Sequence, residues 1–415
     1  MPQVADSNTP SILFLAHRVP YPLDKGERIR VFHALKFLSR RAEIHLACLA
    51  DEPVSEDSLA QLRAVCRQVA VVQNNGASRW MRAAGSILVG RTATEGAFHS
   101  PALIDLLRRW TDEKQFHAVM VSSSGMVPYW SLPKLRELPA VVDLIDVDSQ
   151  KWFDYAAASR FPNSWLYRTE GRRLRRLEQR LPASTRAVTL VSKAETQLYR
   201  SFCHPGTVRT IPCGVDLDYF RPAPDSAIPL CVFVGALNYR PNVDGVRSFC
   251  REVWPEIRRR RADARLRLVG RRPTRAVRAL GRLPGVEVVG QVADIRPHLA
   301  ESALAIVPLQ IARGVQTKVI EAMAMGKSVV ASAPSLIGLD AQAGTDLLVA
   351  QNATEWAETV LRVLNKARLR KALGAAARRY VENHHRWEIC LGPLAEILGL
   401  AVRTGQEPSP ESQAA

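Results

Sequence analysis

Lys318 and Glu321 stand three residues apart in the stretch 303–332, ALAIVPLQIARGVQTKVIEAMAMGKSVVAS. The apolar run 303–309 reads as a buried parallel strand. Residues 310–314 read as a loop in which Gly314 lets a ligand approach the backbone closely. Residues 315–325 read as a helix that opens at Val315 and stops at Gly326, and 328–332 as the next strand. Lys318 then lies in the first turn, where free N–H groups and the helix dipole already favour an anion. Glu321 shares its face one turn deeper. A cation beside a phosphate, with a carboxylate behind it, suits a nucleotide diphosphate and its ribose hydroxyls. An ordinary crossover helix with a surface Lys–Glu pair has the same spacing, and that alternative stays open.

The chain opens on a similar arrangement. Residues 11–16, SILFLA, read as a strand; Pro20 and Pro22 bar helix, and Asp24-Lys25-Gly26 leads into a helix over 27–38 with Asp24 as its cap. This is a second place for phosphate or an acceptor, although the dinucleotide fingerprint G-x-G-x-x-G is absent. Arg28 and Arg30 follow two apart on that helix, so at most one faces a ligand, and for both a solvated helix face is the expected alternative. Asp146-Val147-Asp148 follows a strand at 140–145. Its position suits a carboxylate that orients an acceptor hydroxyl or caps the next helix better than one that holds a metal. Arg271 lies just past a strand at 265–270.

Seven scattered cysteines without a C-x-x-C pair or a Cys/His cluster read as free thiols in a reducing cytosol. The opening residues lack a signal-peptide pattern, and the longest apolar runs are too short to span a bilayer. The net charge of +17 admits nucleic acid, anionic lipid or acidic small molecules as partners. Of the 57 basic residues only ten are Lys, so part of the excess reflects a bias toward Arg. Six Arg fall between 168 and 180 on an amphipathic helix, but without the aromatic stacking of a nucleic-acid surface, and a solvated face is expected. Residues 78–91, SRWMRAAGSILVGR, mix Trp, Met, Ile and Leu with Arg; they suit a helix packed on its own domain or one resting on anionic lipid.

With 415 residues, several α/β units are expected. Strands at 11–16, 43–50, 118–123, 140–145 and 187–191 form a first Rossmann-like domain over 11–222, after an arm at 1–10. A proline-bearing linker, 223–229, leads to a second at 230–385, with strands at 230–235, 265–270, 286–290, 303–309, 328–332 and 346–350. A last helix at 386–402 crosses back, and 403–415 is a tail.

Three segments carry a resemblance. KVIEAMAMGKSVVAS, IPCGVDLDYFRP (211–222) and HRVPYPLDKGERIR (17–30) resemble family-4 GT-B glycosyltransferases, and the last is similar to their PEP-CTERM/exosortase-associated branch. The resemblance implies a GT-B fold, two doubly wound domains facing an interdomain cleft. It implies a retaining glycosyltransferase that takes a nucleotide-diphosphate sugar, needs no metal or other cofactor, and acts on a saccharide acceptor, often lipid-linked at the cytoplasmic membrane face. On that reading Glu321 holds the donor ribose; Lys318 and Arg240 neutralise the departing diphosphate; Gly314, Val315, Arg313 and Arg271 line the donor side. Asp24, Lys25, Gly26 and Gly214 line the acceptor side. The usual first Glu of the family falls at Arg313, and Ser328 stands where Pro is usual. A cleft His is replaced by Ser at 122–124, which leaves His17 as the alternative. A sugar-nucleotide epimerase or hydrolase, and a non-catalytic scaffold of exopolysaccharide assembly, remain as other readings.

Overall fold

Thirteen short strands, most of them apolar runs, set the architecture of the protein. In the computed structural model, which describes residues 9–400 apart from 75, 225, 227 and 313, they form two parallel sheets. The chain ends expected as arm and tail lie outside the described residues, apart from 9 and 10. The first sheet contains β1 (Ser11–Ala16), β2 (Glu43–Ala50), β3 (Gln68–Gln73), β4 (Ala118–Ser122), β5 (Ala140–Ile145), β6 (Ala187–Leu190) and β7 (Val208–Thr210). Their order is β3-β2-β1-β4-β5-β6-β7. The second contains β8 (Leu230–Val234), β9 (Arg265–Val269), β10 (Val286–Gly290), β11 (Leu304–Val307), β12 (Ser328–Ala331) and β13 (Leu348–Val349), in the order β10-β9-β8-β11-β12-β13.

Each order reverses once, between β1 and β4 and between β8 and β11. The two sheets are therefore doubly wound, and each has a switch point where the connections leave in opposite directions. The strands are near-continuous apolar runs because helices cover both faces. SILFLA in β1 and AVMVS in β4 are almost wholly buried, as are LAIV in β11 and SVVA in β12.

The chain divides into two compact units. One runs to Leu190, adds Glu195–Ile211 and resumes at Leu391; the other is Val191–Ala194 with Pro212–Cys390. The boundary at 211/212 precedes the proline-bearing stretch, and the Trp387–Leu398 helix begins in the second unit and ends in the first. Each unit has its own core, one around Leu13, Val121, Trp130 and Val142, the other around Phe233, Trp254, Ile306 and Val330.

Arg28 and Arg30 correct the expectation of a solvated helix face. Both are buried on the Gly26–Leu38 helix. Arg28 pairs with Asp24 at 3.0 Å and with Glu52. Arg30 makes a fork on Asp143 at 2.8 and 2.9 Å and donates to the Ile211 carbonyl at 2.8 Å. Thr189 completes the carboxylate at 2.7 Å. The helix is thus fastened to β5, β6 and the turn after β7 by a charge pair hidden from water.

The Arg-rich Asn163–Ser184 helix keeps Arg168, Arg172, Arg176 and Arg180 exposed, as a solvated face would. Arg173 and Arg175 depart from it. Arg173 donates to the carbonyls of Ile87 and Arg91 at 2.9 and 2.6 Å, and Arg175 stacks 3.6 Å above the Phe202 ring.

Candidate functional site

At the β8/β11 switch point two helices begin side by side. The Arg240–Ser248 helix follows β8 and the Thr317–Ala324 helix follows β11. Free amides at two helix N-termini converge there, which suits an anion of more than one phosphate. Lys318, the second residue of its helix, reaches across the gap. Its Nζ donates to Asn242 Oδ1 at 2.9 Å and to Gln316 Oε1 at 3.3 Å, and lies 5.7 Å from the Phe233 ring centroid. Asn242 is buried and donates its Nδ2 to the Ala236 carbonyl at 2.9 Å, so its amide is fixed at both ends.

The walls approach one another closely. A Cβ on Gly235 would sit 3.0 Å from Asn242 Nδ2 and 3.2 Å from Lys318 Cε. A Cβ on Gly270 would fall 1.8 Å from the Gly235 carbonyl oxygen, so only glycine lets β8 and β9 end this near each other. Gly314, in the loop before Lys318, takes the left-handed conformation with φ 59°.

Burial acts on both ionisable groups. It draws the Lys318 ammonium down to about 8, against the attraction of Glu321. It pushes the half-buried Glu321 carboxyl up to about 7, against the attraction of Lys318. A diphosphate bound here would supply negative charge beside the lysine, and ribose hydroxyls would supply hydrogen-bond donors to the carboxylate.

Protonated Lys318 and ionised Glu321 coexist best between these two values. Nucleotide affinity is therefore expected to fall as the pH drops through about 7, where Glu321 gains a proton, and as it rises through about 8, where Lys318 loses one. Titrations across pH should lose the acid limb in Glu321→Gln and the alkaline limb in Lys318→Met; a flat profile in the wild type contradicts this.

The other expected donor residues are less central. Arg240 opens its helix with a side chain 87% exposed, 3.4 Å from Asp244. Arg271 is half-buried, and its carbonyl accepts from Leu237 N–H at 3.0 Å. Val315 packs under Gly338, where a Cβ would lie 3.1 Å from its Cγ2. Arg313 lies outside the described residues. Gly214 departs from the expected ligand turn: it is buried, and a Cβ there would stand 2.6 Å from the Trp387 ring. Its smallness serves packing of 213–215 on 385–387, where Val215 N–H donates to the His385 carbonyl at 2.7 Å.

The first unit places its own set at the β1/β4 switch point. His17 leaves the end of β1 with its Nε2 3.6 Å from Glu27 and its ring edge-on to Phe98, centroids 5.5 Å apart. Its Nδ1 is buried without a hydrogen-bond partner among the described residues, as is the Oγ of Ser122 at the end of β4. Burial opposes ionisation of Glu27, but His17 and Arg18 outweigh it and hold the carboxyl far below the usual range.

Asp24 is exposed and accepts from Arg28 instead of capping the helix, which begins at Gly26 after Lys25 without a side-chain cap. A Cβ at Gly26 would meet nothing within 4 Å. Asp146 follows Ile145, which takes φ 69°, an uncommon conformation for a β-branched residue; Ser123 takes φ 84° at the end of neighbouring β4. Asp148 accepts from Ser124 Oγ at 2.5 Å, tying together the turns after β4 and β5. Among the described residues no group of three or more His, Cys, Asp or Glu is arranged around a common metal position.

Sequence reasoning misses Asn242, Gln316 and Phe233. The signal for Asn242 is Pro241 before it, since proline favours the first turn of a helix and so places Asn242 within that turn.

Residues 228–366 match the family model described as Glycosyl transferases group 1. No curated protein matches the chain in sequence. Solved structures match nearly its whole length. Sucrose-phosphate synthase from Thermosynechococcus elongatus superposes with a TM-score of 0.68 at 18% identity, over 95% of this chain and 100% of that one. Anabaena HepE, solved with UDP-glucose, gives 0.65 at 16% identity over 94% and 99%. WaaG, a glycosyltransferase involved in lipopolysaccharide biosynthesis, gives 0.65 at 16% identity over 94% and 100%. The chain has the GT-B fold. The segment 228–366, within its second unit, is similar to glycosyl transferases group 1, which supports a glycosyltransferase.

Proposed function

We propose that this protein is a retaining glycosyltransferase that moves a sugar from a nucleotide-diphosphate sugar to a saccharide acceptor. The observation that carries this reading is the Lys318–Asn242 pair between two helix N-termini, with Glu321 one turn behind. The bond from the sugar C1 to the diphosphate breaks, and its electron pair stays on the diphosphate. Lys318, the helix amides and exposed Arg240 answer that charge, where an enzyme of another design would use a divalent cation. Glu321 fixes the ribose. The acceptor oxygen bonds to C1 and passes its proton to the diphosphate oxygen that leaves C1. In the first unit His17 and Asp146, with the Asp24–Gly26 turn, form the acceptor side.

The group 1 domain and the UDP-glucose complex of a similar fold make UDP-sugars the first donors to try. The opening segment favours the PEP-CTERM/exosortase-associated branch, and with it a lipid-linked acceptor at the inner face of the cytoplasmic membrane for exopolysaccharide or other cell-surface glycan.

The test follows donor consumption by NMR with and without a lipid-linked saccharide fraction. Acceptor-dependent loss of donor, an unchanged anomeric configuration in the product and an undiminished rate in EDTA are expected. Equal loss without acceptor identifies a hydrolase, inversion overturns the retaining course, and loss of activity in EDTA overturns the metal-free reading.

A further inference from the structure

The Ala77–Leu88 helix of the first unit is turned inside out. Trp80, Met81, Ala84, Gly85, Leu88 and Val89 all face solvent, with Trp80 73%, Met81 67%, Leu88 88% and Val89 72% exposed. The polar residues face inward together with Ala83 and half-buried Ile87. Arg82 bonds Asn74, and Ser86 donates to the Thr92 carbonyl at 2.8 Å. Arg79 lies 3.8 Å from Asp51 and 4.9 Å above the Phe98 ring. A surface helix of a globular domain shows the opposite pattern. Glycines with positive φ, Gly76 at 84° and Gly90 at 83°, turn the chain at both ends of this exposed apolar ridge.

The ridge has a basic flank. Arg91 is 65% exposed at its end. Arg173 donates to the carbonyls of Ile87 and Arg91, which places the neighbouring exposed Arg172 and Arg176 beside the ridge. Trp165, 60% exposed, shares the stripe of Arg168, Arg172 and Arg176 by helical spacing.

We propose that this ridge is a docking surface for an anionic lipid bilayer. Apolar side chains enter the acyl boundary, Trp80 and Trp165 sit at headgroup depth, and the arginines meet lipid phosphates. A second copy of the chain fits worse, because it would bring the same arginines and a net charge of +17 against themselves. No helix among the described residues is long and apolar enough to cross a membrane, so the contact lies at the surface. Arg79, on the inner side of the same helix, lies over the Phe98 ring, which His17 meets edge-on. Docking therefore brings headgroups to the acceptor side, a consequence that rests on the proposed function.

Co-sedimentation with vesicles of phosphatidylcholine alone, and with vesicles in which about a third of the lipid is phosphatidylglycerol, tests this. The wild type should bind the anionic vesicles at least about tenfold more tightly, and raising the salt should weaken binding. The triple variant Trp80→Ser/Leu88→Ser/Val89→Asn should lose about tenfold or more on the anionic vesicles. Arg172→Glu/Arg176→Glu should lose binding to them while keeping whatever weak binding neutral vesicles show. Circular dichroism melts and UDP titration of each variant separate this result from misfolding and from failure of the donor site. Unchanged vesicle binding in a folded triple variant, equal binding to both vesicles, or a wild-type dimer in sedimentation that the triple variant abolishes would each overturn the proposal.

Discussion

Lys318→Ala should lose about 10- to 100-fold in affinity for a nucleoside diphosphate, the range of one charge-assisted contact. It should lose about 10²- to 10³-fold in kcat/KM, since charge grows on the diphosphate as the sugar leaves. The lysine is pre-positioned to meet that charge, because Asn242 fixes the ammonium at 2.9 Å and Gly235 leaves just enough room for its stem. Arg240→Ala should cost less than about tenfold, because its exposed guanidinium remains solvated and screened. Isothermal titration and initial rates on the two variants decide this. Equal losses would move the diphosphate away from Lys318; no loss in either would remove it from this edge of the sheet.

Asp143→Asn should destabilise the first unit by about 3–5 kcal/mol, because it strands the buried Arg30 guanidinium without its counter-charge. The carboxylate accepts from Arg30 twice and from Thr189 once, and Arg30 is 2% exposed, so water cannot take the lost partner's place. A drop of roughly ten degrees in the first unit's melting transition is expected. The paired change Arg30→Met/Asp143→Leu removes both charges and should recover much of that loss. A double variant as unstable as the single one would mean that the pair's shape, rather than its charge, fastens the helix. Nucleotide affinity should survive in folded protein, since the pair lies in the other unit.

The difference between these two sites shows which parts of the chain are readable. Lys318 and Glu321 are legible because their relation is local, three residues on one helix. The strands are legible where both faces are buried, as in SILFLA and LCVFV. Asn242 depends on β8 lying beside β11, an adjacency between segments 76 residues apart, and no local period encodes it.

Arg30 reads as a surface residue for the same reason: Asp143, its partner, lies 113 positions on. Asp143 itself is a signal, a carboxylate within the apolar run AVVDLI. The half-buried strand β3, QVAVVQ, lacks the deep burial that marks its neighbours and escapes a reading by apolar runs. The outward apolar face of the Ala77–Leu88 helix cannot be read from composition, since Trp, Met, Leu and Arg at that spacing fit either orientation.

On the proposed function, the β8/β11 edge receives a nucleoside diphosphate through Lys318 and Glu321. Calorimetric titration of the wild-type chain with UDP, GDP and ADP, with Lys318→Ala and Glu321→Ala in parallel, decides this. One nucleotide should bind with a dissociation constant in the micromolar range usual for enzyme substrates, and both substitutions should weaken it by about tenfold or more. Absence of heat with every nucleotide at millimolar concentration, or one that binds both variants as tightly as the wild type, would contradict it.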